Sequence, residues 1–393
     1  MAPRLTIVLP LKGRHLFTLR FLWHANKARL PYRFLIADGQ VHPELAGRLE
    51  DSRKTFPALD IEYIRYPDDV DLNRFFSKMS DALQRVRTPY AMLADNDDFL
   101  GFDGIEQALD FLDASADYVC ARGRMVAFSV YSGLGNPGGG VRGRLNRLYL
   151  QNDSADFSAP SAAERVRRGG IDPAIYNAVY RAGALATIFR EAAEIDFSDL
   201  MLHESFHALR ALTLGKVRTN RTAVSYFRQL GTSLTYQPSR DWVHHLLRSR
   251  FTSDAHAMVE RISTAGAEAD SADKATIAED VRTVIEDYFR WFLSTNYGLV
   301  TQIKRIIRRK SPRVVSYLQN RPRFFVARER SALIRRLARA GASRKNLAQH
   351  RAQLAEIERA LSREAFASFA GPFLPTARAD GKRDRLYAAV EGR

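Results

Sequence analysis

The sequence predicts an α/β protein: a Rossmann-type, mostly parallel sheet followed by a basic, helical C-terminal domain. Three observations predict it. The first hundred residues alternate strand and helix patterns at the lengths of βαβ units. Three of those strands run into short polar loops. From Asp241 onward the pattern is almost wholly helical. The expected division is residues 1–235 for the α/β domain and 236–393 for the helical one.

The elements follow in order. Leu5-Thr6-Ile7-Val8-Leu9 is a short apolar, β-branched run that stops at Pro10. His15 to Arg29 carries Leu16, Leu19, Phe21, Leu22 and Trp23, which suits a helix. Tyr32 to Ala37 is a second strand that ends at Asp38-Gly39. Pro43 to Arg53 reads as a helix and Ile61 to Ile64 as a third strand. Leu72 to Val86 is helical, with apolar residues at Leu72, Phe75, Phe76, Met79 and Leu83. Pro89 to Ala94 is a fourth strand entering Asp95. In parallel sheets ligands gather at the carboxyl ends of the strands. The loops Lys12-Gly13-Arg14, Asp38-Gly39 and Asp95-Asn96-Asp97-Asp98 therefore point to one shared site. Residues 131–143 are glycine-rich without the Gly-Lys-Ser/Thr of a P-loop, and read as a mobile lid. Ordered sequence resumes from Ile171 to Ser233. Ser263 to Asp273 reads as an exposed connection.

A chain of 393 residues can bury a sizeable core. Cys120 is its single cysteine, which excludes an internal disulfide framework and a four-cysteine zinc site. It favours a reducing, cytoplasmic setting. The first strand begins at Leu5, so no secretory leader is expected, and no apolar run reaches membrane-spanning length. The net charge is +16, and nearly all of it falls in residues 301–393. Lys304 to Lys310 and Leu333 to Arg339 mix apolar pairs with basic blocks. Such segments suit, first, a solvated basic face over a helical core, then the inner face of an anionic membrane, and less so nucleic acid. Contact with a second subunit is a further option.

Asp95, Asp97 and Asp98 follow an apolar strand, where oxygen ligands can hold Mg²⁺ or Mn²⁺. The same residues also suit a turn and a helix cap. His203-Glu204-Ser205-Phe206-His207 matches the zinc-peptidase pattern, which would set two histidines on one helical face with Glu204 as base. The metzincin extension is absent, with Arg210 and Thr213 at its positions. No Glu lies between Glu204 and Glu260 to complete a thermolysin-like site.

Over residues 4–233 the chain resembles the family-two-type glycosyltransferases of the GT-A fold. Thr6 to Pro10 with Lys12-Gly13-Arg14 is similar to their opening strand and loop, and Ile36-Ala37-Asp38-Gly39 to their second strand. Ser77-Lys78-Met79 stands where many members have an Arg-Asn pair. Tyr90 to Asp98 is similar to their metal motif. Asn177 to Arg181, His203 to Arg210, Leu214 to Val217 and Thr222 to Arg228 follow in the family's order. The resemblance implies an inverting, metal-dependent hexosyltransferase that uses a nucleotide-sugar, with UDP favoured by family frequency. It implies that Pro10, Lys12, Arg14, Asp38, Lys78 and Asp95 contact the donor. Asp97, with Asp95 and Asp98, would hold the cation, and Glu204 would be the general base. A glycan, lipid-linked or protein acceptor is implied, as in surface polysaccharide or glycoconjugate synthesis. Two departures stand out: Ser205 replaces the second acid of the family's Glu-Asp pair, and Gln229 replaces a metal-binding His. The other readings are a zinc metallopeptidase and a non-catalytic adaptor with a decayed transferase domain.

Overall fold

The computed structural model describes residues 2–40, 42–131, 137–138, 140–151, 156–231, 250–297 and 323–370. The first strands come where the sequence puts them: β1 (Leu5–Leu11), β2 (Arg33–Asp38), β3 (Asp60–Arg65) and β4 (Tyr90–Leu93). Between them lie α1 (His15–Ala28), α2 (Pro43–Glu50), the short α3 (Ser52–Thr55) and α4 (Leu72–Gln84). Next come β5 (Phe99–Leu100), α5 (Phe102–Ala114), β6 (Tyr118–Tyr131), β7 (Pro137–Gly138) and β8 (Arg144–Gln151). They are followed by α6 (Ala162–Gly169), a 3₁₀ turn (Pro173–Asn177), β9 (Val179–Arg181), α7 (Ala182–Ile195), α8 (Leu200–Leu214) and β10 (Lys216–Gln229).

One sheet contains all ten strands in the order β3-β2-β1-β4-β9-β6-β10-β5, with β7 and β8 also paired to β6. The β3-β2-β1-β4 half is parallel. β9 then enters antiparallel between β4 and β6, while β6 and β10 run parallel. This mixed α/β sheet, with helices on both faces, is the expected fold class. Successive side chains of a strand point to opposite faces. Ile7 and Leu9 of β1 accordingly enter one core with Phe34 and Met92, while Val8 enters another with Leu35 and Leu93. Burial on both faces is why these strands read as continuous apolar runs.

The later helices are α9 (Phe251–Asp270), α10 (Lys274–Tyr297), α11 (Arg323–Arg339), α12 (Arg344–Ala360) and α13 (Arg363–Ala370). Each extends a core begun by the sheet. Met258 and Ile262 of α9 and Ile277 and Val281 of α10 join the core of α4, α7 and α8. Leu333 and Leu337 of α11 and Leu354 and Ile357 of α12 cover Val126, Phe128 and Phe227. Phe366 and Phe369 of α13 pack beside α1. The boundary expected at 235/236 lies outside the described residues, as do Lys304 to Lys310 and residues 132–136 and 139 of the glycine-rich segment.

One expectation is corrected. Ser263 to Asp273 is not an exposed connection, because α9 continues to Asp270 and only three residues link it to α10. Ser263 is fully buried, and Gly266 lies against Ile277, where an added Cβ would come within 3.1 Å of its side chain. Those small residues are the inner face of a helix. Among the described residues, no helix is long and apolar enough to cross a membrane.

Candidate active site

The carboxyl ends of β1 and β4 open into one cavity of about 810 Å³. Pro10, Lys12, Arg14, Lys78, Asp95, Asp97, Asp98 and Glu204 all line it. Asp38 does not. It is buried at the end of β2, where its carboxylate accepts the Tyr63 hydroxyl at 2.8 Å and the Gln40 amide at 3.1 Å.

The acidic loop is pinned from several sides. The Tyr226 hydroxyl accepts the Asp95 amide at 2.9 Å, and Asn96 donates to Thr18 Oγ1 at 2.9 Å. The fully buried Arg20 donates to the Asp97 carbonyl, the Val141 carbonyl and Gln229 Oε1. Gln229 also donates from its side chain to the Gly140 carbonyl and from its amide to Asp98 Oδ1. A loop held this way offers its carboxylates in a fixed array. Gln229 is therefore a brace behind the loop, and its carboxamide is engaged by Arg20 and Gly140.

That array carries strained charge. Burial, then the neighbouring Asp97, pushes the Asp95 carboxyl up to about 6. Burial, then Asp97 and Asp95, holds Asp98 well above the usual carboxylate range. Arg14 meets Asp97 at 2.7 Å and stacks 4.8 Å from the Phe17 ring centre. Burial opposes charge on Arg228, but Asp98, Glu204 and Asp95 outweigh it and raise its pKa further. Two buried carboxylates with oxygen ligands only are a chemistry that suits a hard cation completed by phosphate oxygens. Among the described residues, no group of three His, Cys, Asp or Glu side chains forms a ready-made metal cage. The fit is thus to a cation shared between protein and ligand.

On the opposite wall α8 supplies Glu204. Asp199 caps this helix, accepting from the Met201 and Leu202 amides at 2.9 and 3.3 Å. Glu204 lies one turn in and faces the cavity, half-buried. Burial, with Asp95 and Asp199 adding to it and Arg228 opposing, raises its carboxyl to about 7. That is the range of a general base at neutral pH.

The two flanking histidines face away. His203 and His207 are fully buried among Phe76, Tyr176, Phe189 and Phe197. His207 Nε2 lies 3.0 Å from the Tyr180 hydroxyl. Burial drives His203 down to about 3 and His207 well below its ordinary value, so both stay neutral. Glu204 and the two imidazoles are on different sides of α8, and the zinc-peptidase pattern does not come together as a metal site.

Four residues of consequence were not singled out in the sequence. Asp69 follows β3 and is fully enclosed, with Lys78 Nζ at 2.5 Å and Lys12 Nζ at 3.7 Å. Gly39 makes room for it, since an added Cβ would lie 2.0 Å from its Oδ2. Asp68-Asp69 is a fourth polar loop at a strand end, a signal of the same kind as the other three. Arg20 lies in an apolar-looking helix pattern and nothing local marks it, whereas Tyr226 and Arg228 belong to the closing strand that the family resemblance covers, without a role assigned to them there. Together Lys12, Arg14, Lys78 and Arg228 place four cationic side chains on the cavity wall.

No family model and no curated protein matches the chain. Solved structures similar to it include S. aureus TarS, residues 1–349, at 11% identity over 88% of this chain and 89% of that one, with a TM-score of 0.46. The same protein in complex with UDP-GlcNAc gives a TM-score of 0.45 at 11% identity, covering 88% and 89%. The mannosyltransferase PcManGT from Pyrobaculum calidifontis, in complex with GDP-Man and Mn²⁺, is 12% identical over 81% of this chain and 87% of that one, with a TM-score of 0.38.

Proposed function

We propose that the chain transfers a sugar from a nucleoside diphosphate donor, with UDP favoured, to a hydroxyl acceptor, with inversion. The observation that carries this is the composition of one cavity. The cationic side chains of Lys12, Arg14, Lys78 and Arg228, a carboxylate loop and a carboxylate raised to about 7 line the same space. A diphosphate leaving group needs the first two, and deprotonation of an acceptor hydroxyl needs the third.

Lys12, Lys78 and Arg228 face the diphosphate, and Asp69 holds the two lysines at the spacing seen here. Asp95 and Asp97 would hold Mg²⁺ or Mn²⁺, which when bound adds positive charge opposite the departing diphosphate. Asp98 orients the loop through the Gln229 amide. Glu204 takes the proton from the acceptor hydroxyl as it attacks the anomeric carbon. The enclosed wall around Glu204 keeps its basicity matched to neutral pH. Asp38 acts one layer back, fixing Tyr63 and the Gly39 turn. The acceptor is read as a glycan or glycan carrier in surface polysaccharide or glycoconjugate synthesis. Residues 236–393 are read as a helical region that buttresses the transferase domain. The exposed arginines of α11 and α12 give that region a basic face suited to an anionic membrane.

The test is a thermal-shift screen with UDP-GlcNAc, UDP-glucose and GDP-mannose, each with Mn²⁺ and with EDTA. Ligand binding to the native state raises the midpoint by mass action. A shift with at least one donor in Mn²⁺ supports the reading. No shift with any nucleotide or nucleotide-sugar overturns it.

A further inference from the structure

Arg14 has a place beyond its share in the cationic wall of the cavity. It stands between β1 and α1 with φ of 58°, in the left-handed region, directly after Gly13 at φ of 69°. That pair of turns bends the chain back over the acidic loop. The guanidinium meets Asp97 Oδ2 at 2.7 Å and lies against the Phe17 ring. Asp97 is almost fully buried, and its backbone carbonyl is fixed by Arg20. Its carboxylate thus has little freedom to turn elsewhere. The same carboxylate is the one expected to take a cation.

We infer that Arg14 is a positioning residue that acts as the internal counter-cation of the unliganded site. It holds Asp97 in place until a divalent ion arrives, and is then free to turn to the diphosphate. The inference rests on the proposed metal reading. Two cations cannot both sit against one buried carboxylate without mutual repulsion, so Arg14 and the metal compete for Asp97. Competition of this kind has a sign that loss of structure cannot imitate: removing Arg14's charge strengthens metal binding. Linkage also requires that metal binding loosen Arg14 to the same extent.

The experiment is a calorimetric titration of the full-length protein with Mn²⁺ in the absence of nucleotide, for wild type, Arg14→Gln and Arg14→Lys. Neither variant changes the left-handed backbone requirement, since neither residue is glycine. The expected result is a Kd for Mn²⁺ at least about fivefold tighter in Arg14→Gln, within the usual range of coupling between sites. Arg14→Lys, which keeps the charge, should bind Mn²⁺ close to the wild-type value. Mn²⁺ binding that is equal or weaker in Arg14→Gln than in wild type overturns the inference alone. Failure of wild type and variants alike to bind Mn²⁺ overturns the metal reading and the inference with it.

Discussion

In the proposed reaction, Glu204 is the residue on which the chemistry turns. Its carboxyl is raised to about 7, chiefly by burial, so its charged form is scarce in mild acid. The transfer rate should therefore climb with pH and level off above about 7, with an apparent pKa near that value in single-turnover assays. Glu204→Gln should keep donor affinity and lower transfer by roughly two to four orders of magnitude. It should also stabilise the protein at pH 8. The folded-state pKa lies above the unfolded one, so the wild type loses stability as pH rises from about 4.5 to about 7, and Gln removes that loss. Near-wild-type transfer in Glu204→Gln would move the base to another residue, with Asp199 and Asp196 next in line. Glu204 was legible in the sequence only through the family resemblance. The motif around it also matches the zinc-peptidase pattern, but the residues that would complete such a site are missing, and the burial of its two histidines among aromatic rings sets that reading aside. Arg20 was not legible, because it sits among apolar neighbours on a helix whose own pattern is complete without it.

At the scale of the element, α8 shows how one helix serves two environments. Its cavity side carries Glu204, and its core side carries His203 inside a cage of aromatic rings. A histidine held neutral at about 3 is a liability in acid, because the unfolded chain takes up its proton first. Stability from this group is present above about pH 6.5 and is lost as pH falls, by about 2 kcal/mol between pH 7 and pH 5. His203→Phe should narrow the difference in unfolding free energy between those two pH values by that amount, measured by urea denaturation. An unchanged difference would mean that His203 finds a proton partner in the folded state. The strands were the most legible elements. Burial on both faces gives β1, β2 and β4 unbroken apolar runs, and their polar ends mark the loops. The antiparallel insertion of β9 was not legible. Three residues, Val179 to Arg181, carry too little pattern to show which neighbours they pair with, and that choice is made by tertiary packing. The end of α9 was misjudged for a related reason, since small residues that look like a linker are what a close helix contact requires.

Across the whole molecule, the acidic cavity loop and the basic C-terminal helices divide the charge. α11 and α12 bury Leu333, Leu337, Leu354 and Ile357 against the sheet and leave Arg335, Arg336, Arg339, Arg344 and Arg351 exposed. Among the described side chains of these helices no large apolar residue is exposed, so attachment through those arginines would be electrostatic. Vesicles containing phosphatidylserine should retain the protein at low salt and release it at about 0.5 M NaCl, where screening acts within a few ångströms. Neutral vesicles should not retain it at all. Retention that survives high salt would contradict an electrostatic attachment through these arginines. The basic excess was plain from composition, whereas the outward placement of the described arginines of α11 and α12 needed the packing. The site itself was legible as a set of strand ends. Its assembly from β1, β4, α4, α8 and β10 depends on contacts more than a hundred residues apart, which local pattern cannot carry. The central claim is that this cavity takes a nucleoside diphosphate with a shared cation. Calorimetric titration of UDP into wild type and Asp97→Ala, in Mn²⁺ and in EDTA, tests it most directly. The account predicts binding to wild type in Mn²⁺, at least about tenfold weaker in EDTA, with no difference between the two conditions in Asp97→Ala. Equal affinity for UDP in Mn²⁺ and EDTA in the wild type, or no binding in either, would contradict it.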